Sequence, residues 1–346
     1  MDEREALGML AAELPAAGDD AAVVGDAVLT TDMLHETTDF PPGVDRYTAG
    51  WRAVAASLSD VAAMGAAAEA AVAVYGAPTF DATEIRAFVR GARDACESVD
   101  AAYVGGDLDE TAEFTVATTA LGRTTDPIRR DGLGAVSRRP AGGATESADD
   151  DGIVGDGLSA DDNTAVDNDV TADRDTRVDN DATADGDTAV DNAVCVTGAL
   201  GRTAAALRLF DRGETERAND LFRFPPRVAA GRALAPYATA GMDVSDGLAR
   251  SLHQLAAAND CGFAVSGDDV PIHEAVTETV DGDAERLAAA TTVGEDFELL
   301  CTVPEECVAD ARADCPVPLS RIGTVTESSV TLDGDPLADE GWTHGG

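Results

Sequence analysis

Residues 145 to 192 constrain the fold of this chain more than any other feature of its sequence. The segment contains 15 Asp and one Glu against two Arg, has no aromatic residue, and repeats TAVDN at 164–168 and 188–192. So few apolar side chains cannot bury enough surface to offset the entropy lost on ordering. We therefore predict a disordered acidic insertion. A calcium loop beginning at Asp181 fits less well, because its twelfth position is Asn192, where a Glu is required.

On both sides of this insertion, short apolar runs alternate with segments of helical periodicity. Strands are predicted at 27–31, 70–75, 101–104, 113–122, 193–198, 263–267, 299–303 and 320–326. Helices are predicted at about 47–64, 82–98, 203–212, 226–237 and 284–290, with two more that end near 259 and begin near 304. The mixture indicates an α/β (α+β) fold. A length of 346 residues suggests two domains, which we place at 1–125 and 126–346, with the insertion in the second.

The net charge of the chain is -42, and all of its 24 basic residues are Arg. Without Lys, the chain has neither a Gly-Lys-Ser/Thr phosphate loop nor a Schiff-base lysine. So negative a surface repels nucleic acid and anionic membranes, and we expect neither as a partner. An acidic surface around small core residues is typical of halophilic proteins, because molar salt shortens the Debye length to roughly 3 Å.

The chain begins with the acidic sequence MDEREALGML, and no apolar run approaches about 18 residues. We therefore expect a cytoplasmic protein. Its six cysteines form no C-x-x-C pair, so buried reduced thiols are expected. The four histidines are too scattered to indicate a zinc site.

Five short motifs place carboxylates beside glycine or at predicted ends of strands and helices. They are Gly18-Asp19-Asp20, Thr30-Thr31-Asp32, Asp60 within SLSDVAAMG, Gly106-Asp107, and Asp243-Val244-Ser245-Asp246-Gly247. Asp60 lies on a strongly apolar helix, where an unpaired carboxylate is costly to bury. Carboxylates and hydroxyls suit Mg²⁺, which in turn prefers phosphate oxygens. These residues predict a magnesium-dependent phosphate-handling protein. Taken singly, Thr30 is explained better by strand propensity and Ser245 by helix capping.

Seven motifs together resemble one known family. GDDAAVV, LTTDML, GWRAVAASLSDVAAMG, VGGD, VTGALG, MDVSDGL and GEDFEL occur in the order and approximate spacing of thiamine-monophosphate kinases, in the ATP-binding superfamily of aminoimidazole-ribonucleotide synthetase. The resemblance covers the chain except for about 133–192. It implies an N-terminal ATP- and Mg²⁺-binding domain that forms a homodimer through its sheet, and a C-terminal α/β domain that closes over the nucleotide. It also implies transfer of the γ-phosphoryl group of ATP to thiamine monophosphate, with no covalent protein nucleophile.

The same resemblance implies roles for individual residues. The implied magnesium ligands are Asp20, Thr30, Thr31, Asp32, Asp60, Asp107, Asp243 and Asp246. The implied ATP contacts are Gly106, Asp107, Arg130 and Ser245. The implied substrate contacts are Asp39, Glu295 and Trp342. For Arg130 and Trp342, an exposed surface side chain is the alternative.

Two departures from the family pattern concern the substrate side. Asp39 stands where many members have a His, and Val293-Gly294 replaces the usual Gly-Gly before Glu-Asp. Two other functions remain open. One is a sister ATP-dependent enzyme of the same superfamily. Selenophosphate synthetases and the purine-pathway synthetase rely on Lys-containing N-terminal motifs, and the hydrogenase-maturation member ends in a reactive Cys, whereas this chain ends in HGG. The other is a non-catalytic, acidic cation-binding protein, which only the insertion favours.

Overall fold

A computed structural model of the chain describes residues 9–10, 13–14, 18–133 and 191–341. The acidic insertion therefore lies outside the described residues, except for its last two positions. Asn192 is a correction to the predicted boundary: it is buried and begins a strand, in which it pairs with Pro304.

The first part of the described chain forms a five-stranded sheet with three helices. Its strands are β1 (Ala22–Val24), β2 (Ala27–His35), β3 (Ala67–Ala77), β4 (Ala102–Glu110) and β5 (Thr115–Arg123). Its helices are α1 (Glu36–Asp39), α2 (Arg46–Ala63) and α3 (Ala82–Glu97). The strand order is β1-β2-β5-β3-β4, and only β3 and β4 pair in parallel.

The second part forms a seven-stranded sheet with seven helices. Its strands are β6 (Asn192–Thr197), β7 (Ala240–Asp243), β8 (Gly262–Val265), β9 (Leu299–Pro304), β10 (Leu319–Thr326), β11 (Val330–Leu332) and β12 (Asp335–Pro336). Its helices are α4 (Arg202–Asp211), α5 (Thr215–Phe222), α6 (Val228–Leu234), α7 (Leu248–Asn259), α8 (Glu274–Thr279), α9 (Asp283–Thr292) and α10 (Val308–Asp314). The order is β12-β11-β8-β10-β6-β9-β7. The mixed α/β architecture confirms the predicted fold class.

Helix α2 is the central packing element. Asp45 caps its first turn by accepting a hydrogen bond from the backbone N of Thr48 at 2.7 Å. The helix crosses α3 closely, because a Cβ on Gly50 would lie 2.1 Å from the carbonyl oxygen of Phe88. A Cβ on Gly91 would likewise lie 1.9 Å from the carbonyl oxygen of Tyr47. Since α2 also packs against β2, β5, α6 and β7, it joins the two sheets.

Most predicted elements appear within a few residues of their expected bounds. Asp81 caps α3 as its sequence pattern predicts, by accepting hydrogen bonds from the backbone N of Thr83 and Glu84. The helix expected over 226–237 is shorter, at Val228–Leu234, and α5 and α8 were not predicted. All six cysteines are unpaired thiols, four of them buried. Within the described ranges, no helix is both long enough and apolar enough to cross a membrane.

Candidate functional site

Three carboxylates from distant parts of the sequence meet beside α2. Asp20 precedes β1, Asp60 lies in the last turn of α2, and Asp243 ends β7. One carboxylate oxygen from each residue lies within 4.8 Å of the corresponding oxygens of the other two. Asp243 is buried, and the other two are partly buried. The structure thus brings together three of the predicted metal ligands, one from the second part of the chain and two from the first.

Neighbouring donors hold each of these carboxylates in place. The Thr30 hydroxyl donates to Oδ2 of Asp60. The Ser59 hydroxyl donates to Oδ2 of Asp243 at 2.7 Å. The Arg130 guanidinium donates to Oδ1 of Asp20 at 2.5 Å. Each donor engages one carboxylate oxygen and fixes the direction of the group.

Burial raises the pKa values of all three carboxyls, and repulsion within the cluster raises those of Asp60 and Asp243 further. Burial raises the pKa of Asp60 well above its ordinary value of 3.8, and the charges of Asp32, Asp243 and Asp20 raise it further. Burial, with the charge of Asp20, raises the pKa of Asp243 to about 7. Burial also raises the pKa of Asp20, although Arg130 opposes this change. A cation among these oxygens would remove the cause of the repulsion, so the cluster has the donor chemistry of a Mg²⁺ site.

The alternation of β2 separates the residues of the Thr30-Thr31-Asp32 motif. Thr30 and Asp32 face α2, where the Ser57 hydroxyl donates to Oδ2 of Asp32 at 2.5 Å. Thr31 is exposed on the opposite face of the sheet, and its hydroxyl donates to the carbonyl oxygen of Thr118 at 2.9 Å. The side chain of Thr31 is therefore turned away from the carboxylate cluster.

Arg130 lies beside the cluster, where its guanidinium binds Asp20. Its Nε atom is buried and has no hydrogen-bond partner within the described part of the chain. Its backbone N and the Arg129 guanidinium both bind Asp19, at 2.8 and 2.6 Å. The loop that carries Arg130 is thus fixed beside the cluster.

Asp107 and Asp246 are not among the three carboxylates that meet, whereas Ser245 contacts one of them. Asp107 is exposed on β4, and its Oδ1 accepts a hydrogen bond from the backbone N of Leu108 at 2.9 Å. Gly106 passes close to β3, because a Cβ there would lie 1.7 Å from the carbonyl oxygen of Ala73. Asp246, just before α7, accepts a hydrogen bond from Nε2 of Gln254 at 3.2 Å. Ser245 lies beside the cluster, where its hydroxyl hydrogen-bonds to Asp243.

The predicted substrate contacts have different environments. Glu295 forms a 2.8 Å ion pair with the buried Arg52. Asp39 is buried, and its Oδ2 accepts hydrogen bonds from the backbone N of His35 and the hydroxyl of Thr38, each at 2.7 Å. This carboxylate therefore folds back onto its own segment. Trp342 lies outside the described residues.

Sequence reasoning missed three residues that support the site, namely Arg52, Ser57 and Ser59. All three are buried on α2. The available signal was the occurrence of polar side chains on an otherwise apolar helix, at one, three and eight positions before Asp60. A buried polar group needs a hydrogen-bond partner, so each of them pointed to a polar contact inside the fold.

The class of the protein follows from its two sheets, from the carboxylate cluster beside α2, and from two family models that match its sequence. Residues 18–124 match the family model of the N-terminal domain of AIR synthase related proteins, and residues 189–334 match that of the C-terminal domain.

Curated relatives narrow this class. A thiamine-monophosphate kinase from Halobacterium salinarum is 52% identical over 346 residues, which cover 99% of this chain and all of the relative. The enzyme of that name from Methanospirillum hungatei is 32% identical, with 99% of both chains covered. This chain therefore belongs to the thiamine-monophosphate kinase family.

Solved structures agree with the fold. A crystal structure of thiamine-monophosphate kinase from Stenotrophomonas maltophilia has a TM-score of 0.69 and 25% identity, with 96% of each chain covered. A structure of AaThiL complexed with AMPPCP and TMP has a TM-score of 0.74 and 22% identity, covering 99% of this chain and 96% of that one.

Proposed function

We propose that this protein transfers the γ-phosphoryl group of ATP to thiamine monophosphate and so forms thiamine diphosphate. The observation that carries the proposal is the buried meeting point of Asp20, Asp60 and Asp243. It occurs in a chain that is 52% identical over its full length to a thiamine-monophosphate kinase. The likeness extends over both domains, which favours this reaction over a sister synthetase or a non-catalytic cation-binding protein.

Asp20, Asp60 and Asp243 would hold Mg²⁺. Asp32, whose charge acts on Asp60, and Asp246, which follows Asp243 in the same motif, would be further ligands. Bound magnesium neutralises phosphate charge, which would otherwise keep the two polyanionic substrates apart. We propose that several Mg²⁺ ions bind, and that Thr31 and Asp107 are further ligands. Because Thr31 has its side chain on the other face of the sheet, it would contribute through its backbone.

The residues of this chain would act by positioning and neutralisation, as is general for phosphoryl transfer. Arg130 would bind an ATP phosphate through guanidinium N–H groups that Asp20 does not occupy. Ser59 and Thr30 would hold Asp243 and Asp60 in fixed orientations. Gly106 would let the backbone of β4 approach the nucleotide. Direct transfer between the two substrates needs no phosphorylated aspartate.

Thiamine monophosphate would be contacted by Glu295 and Trp342. For Asp39, the observed hydrogen bonds to its own segment favour a supporting role in place of direct contact. Because the reaction consumes ATP, the cytoplasm is the compartment that we propose.

We also propose that the five-stranded sheet forms a homodimer interface. Its outer face exposes four large apolar side chains: Leu29 at 46%, Met33 at 57%, Val72 at 37% and Val74 at 42%. Register places them together, since Leu29 pairs with Leu121, and both Met33 and Val74 pair with Ala117. An exposed group of apolar side chains of this kind on an acidic protein favours a contact surface.

The decisive experiment is an assay of the purified protein in molar KCl with Mg²⁺, ATP and thiamine monophosphate. We expect ADP and thiamine diphosphate to form in equal amounts, and neither to form without thiamine monophosphate. With ATP alone, no phosphorylated protein should accumulate. ATP turnover without thiamine diphosphate, or a stoichiometric acyl-phosphate on one of the aspartates, would reject the proposal.

A further inference from the structure

The guanidinium of Arg52 is buried at the junction of the two parts of the fold, eight positions before Asp60 on α2. Only 2% of its side chain is exposed. It donates to the carbonyl oxygen of Phe222 at 2.7 Å and to that of Glu295 at 3.2 Å. It also donates to Oε2 of Glu295 at 2.8 Å. One side chain therefore binds both the backbone and the carboxylate of Glu295.

Three aromatic rings surround the same guanidinium. Its central carbon lies 3.6 Å from the ring centroid of Phe222, 5.3 Å from that of Phe224 and 5.7 Å from that of Phe297. The rings of Phe224 and Phe297 stack at 4.2 Å. Aromatic faces attract a cation and keep water away from it, so the guanidinium has little freedom to reorient.

The backbone at Glu295 is held in an unusual conformation. Its φ is +65°, and Phe297 has a φ of +53°, both in the left-handed region that non-glycine residues rarely adopt. The backbone N of Glu295 donates to the carbonyl oxygen of Ser245 at 2.5 Å, and its carbonyl oxygen accepts a bond from the Thr203 hydroxyl at 2.7 Å. Strain of this kind persists only where surrounding contacts fix it, and it clusters at functional sites.

The carboxylate of Glu295 is engaged on one side only. Oε2 binds Arg52, whereas Oε1 accepts no hydrogen bond from the described residues, and the side chain is 12% exposed. Eight residues of helix separate Arg52 from Asp60, which is a rise of about 12 Å along the axis. Helix α2 thus carries both the phosphate-side carboxylate and the residue that orients Glu295.

We propose that Arg52 is a positioning residue, which holds Glu295 so that Oε1 faces a hydrogen-bond donor on the ring portion of thiamine monophosphate. This inference rests on the proposed function. Because Arg52 neutralises the carboxylate, Glu295 recognises its ligand as a hydrogen-bond acceptor more than as a counter-ion. Arg52 itself touches no reacting atom, so its loss affects substrate affinity and leaves phosphoryl transfer intact.

The test compares Arg52→Met with Arg202→Met. Arg202 is a matched control, because its guanidinium also anchors this region, through the carbonyl oxygens of Leu221 and Arg223, without contacting Glu295. We expect Arg52→Met to raise the KM for thiamine monophosphate about tenfold, the effect of losing one charge-assisted hydrogen bond. Its KM for ATP should stay unchanged, and its kcat should stay within about threefold. Arg202→Met should lower the melting temperature without changing the KM for thiamine monophosphate.

A double-mutant cycle with Glu295→Gln separates positioning from general stability. The double variant should have a KM for thiamine monophosphate no higher than that of the worse single variant. The inference would be overturned if the two substitutions multiplied each other's effect on the KM for thiamine monophosphate. It would also be overturned if the KM for ATP rose equally, or if Arg202→Met had the same effect as Arg52→Met.

If Arg52→Met does not fold, Arg52→Lys and Arg202→Lys decide the question. Lysine keeps the charge but not the forked geometry. Only the Arg52 variant should then raise the KM for thiamine monophosphate, by about threefold, and equal effects would overturn the inference. A wild-type protein without kinase activity would reject the proposed function itself, which is a separate outcome.

Discussion

Replacing Asp60 with Asn should make the metal-free protein more stable and the enzyme nearly inactive. The oxygens of Asp20, Asp60 and Asp243 lie within 4.8 Å of one another. Two carboxylates at that distance repel each other by about 3 kcal/mol at an effective dielectric constant of about 20. The amide of Asn has almost the same shape and still accepts the hydrogen bond from Thr30, but it carries no charge.

Protonation sets the upper limit of this stabilisation. In the metal-free protein, Asp60 can relieve the repulsion by taking up a proton, since its pKa is raised well above 3.8. Proton uptake at pH 7 costs about 1.4 kcal/mol for each pH unit above that ordinary value, or about 4 kcal/mol in total. Asp60→Asn avoids this cost, so the free energy of unfolding in EDTA should rise, by at most about 4 kcal/mol.

With magnesium present, the stability advantage of Asp60→Asn over the wild type should shrink or reverse. A ligand bound only by the native state stabilises it by mass action, by about 2.7 kcal/mol at one hundred times its Kd. The variant loses most of this gain together with a ligand. Its kcat should fall roughly a hundredfold or more, which corresponds to about 2.7 kcal/mol of transition-state stabilisation.

Thermal unfolding in molar KCl measures the stability of each variant without metal, in EDTA, and with Mg²⁺. The kinase assay measures kcat. Asp268→Asn is the control, because Asp268 is an exposed residue of the short 3₁₀ helix Gly267–Asp269. That variant should match the wild type in every condition. A metal-free Asp60→Asn protein less stable than the wild type would refute the argument from repulsion, and undiminished kcat would refute the site.

Three further perturbations test other parts of the molecule. The folded-state pKa of Asp243, about 7, exceeds its ordinary value of 3.8, so the native state binds the extra proton and stability in EDTA should fall as pH rises from 4 to 7. Chemical unfolding at pH 5 and pH 8 checks the sign, and greater stability at pH 8 would contradict it. Gly106→Ala should displace β4, because the new Cβ would lie 1.7 Å from the carbonyl oxygen of Ala73. The KM for ATP should then rise at least about tenfold, and an unchanged KM would argue against a nucleotide contact at Gly106. Met33→Glu should convert a dimer to monomers by placing a charge on the apolar sheet face, as sedimentation would record, whereas unchanged mass would exclude this face as the interface.

Local sequence determined much of the secondary structure. The apolar spacing in α2 and the Asp81 cap of α3 lie within a few neighbouring residues, so they were readable without knowing the fold. The short helix α5 was not predicted, because tertiary packing stabilises an element of only eight residues. Asn192 shows the same limit: it ends an acidic segment by composition, yet it is buried by pairing with a strand more than one hundred residues away.

For the site, the sequence by itself determined which chemical groups are available, and the ordered motifs determined the family. Only the tertiary structure decided which groups meet. Ser59 and Asp243 are 184 residues apart in the chain, and no periodicity connects them. Strand alternation turned Thr31 away from Thr30. Arg52 lies beside Glu295 because helix α2, which also carries Asp60, packs against loops of the second sheet. Distances between such residues follow from how helices and sheets pack, since each contact depends on the whole buried surface and not on the residues adjacent in the sequence.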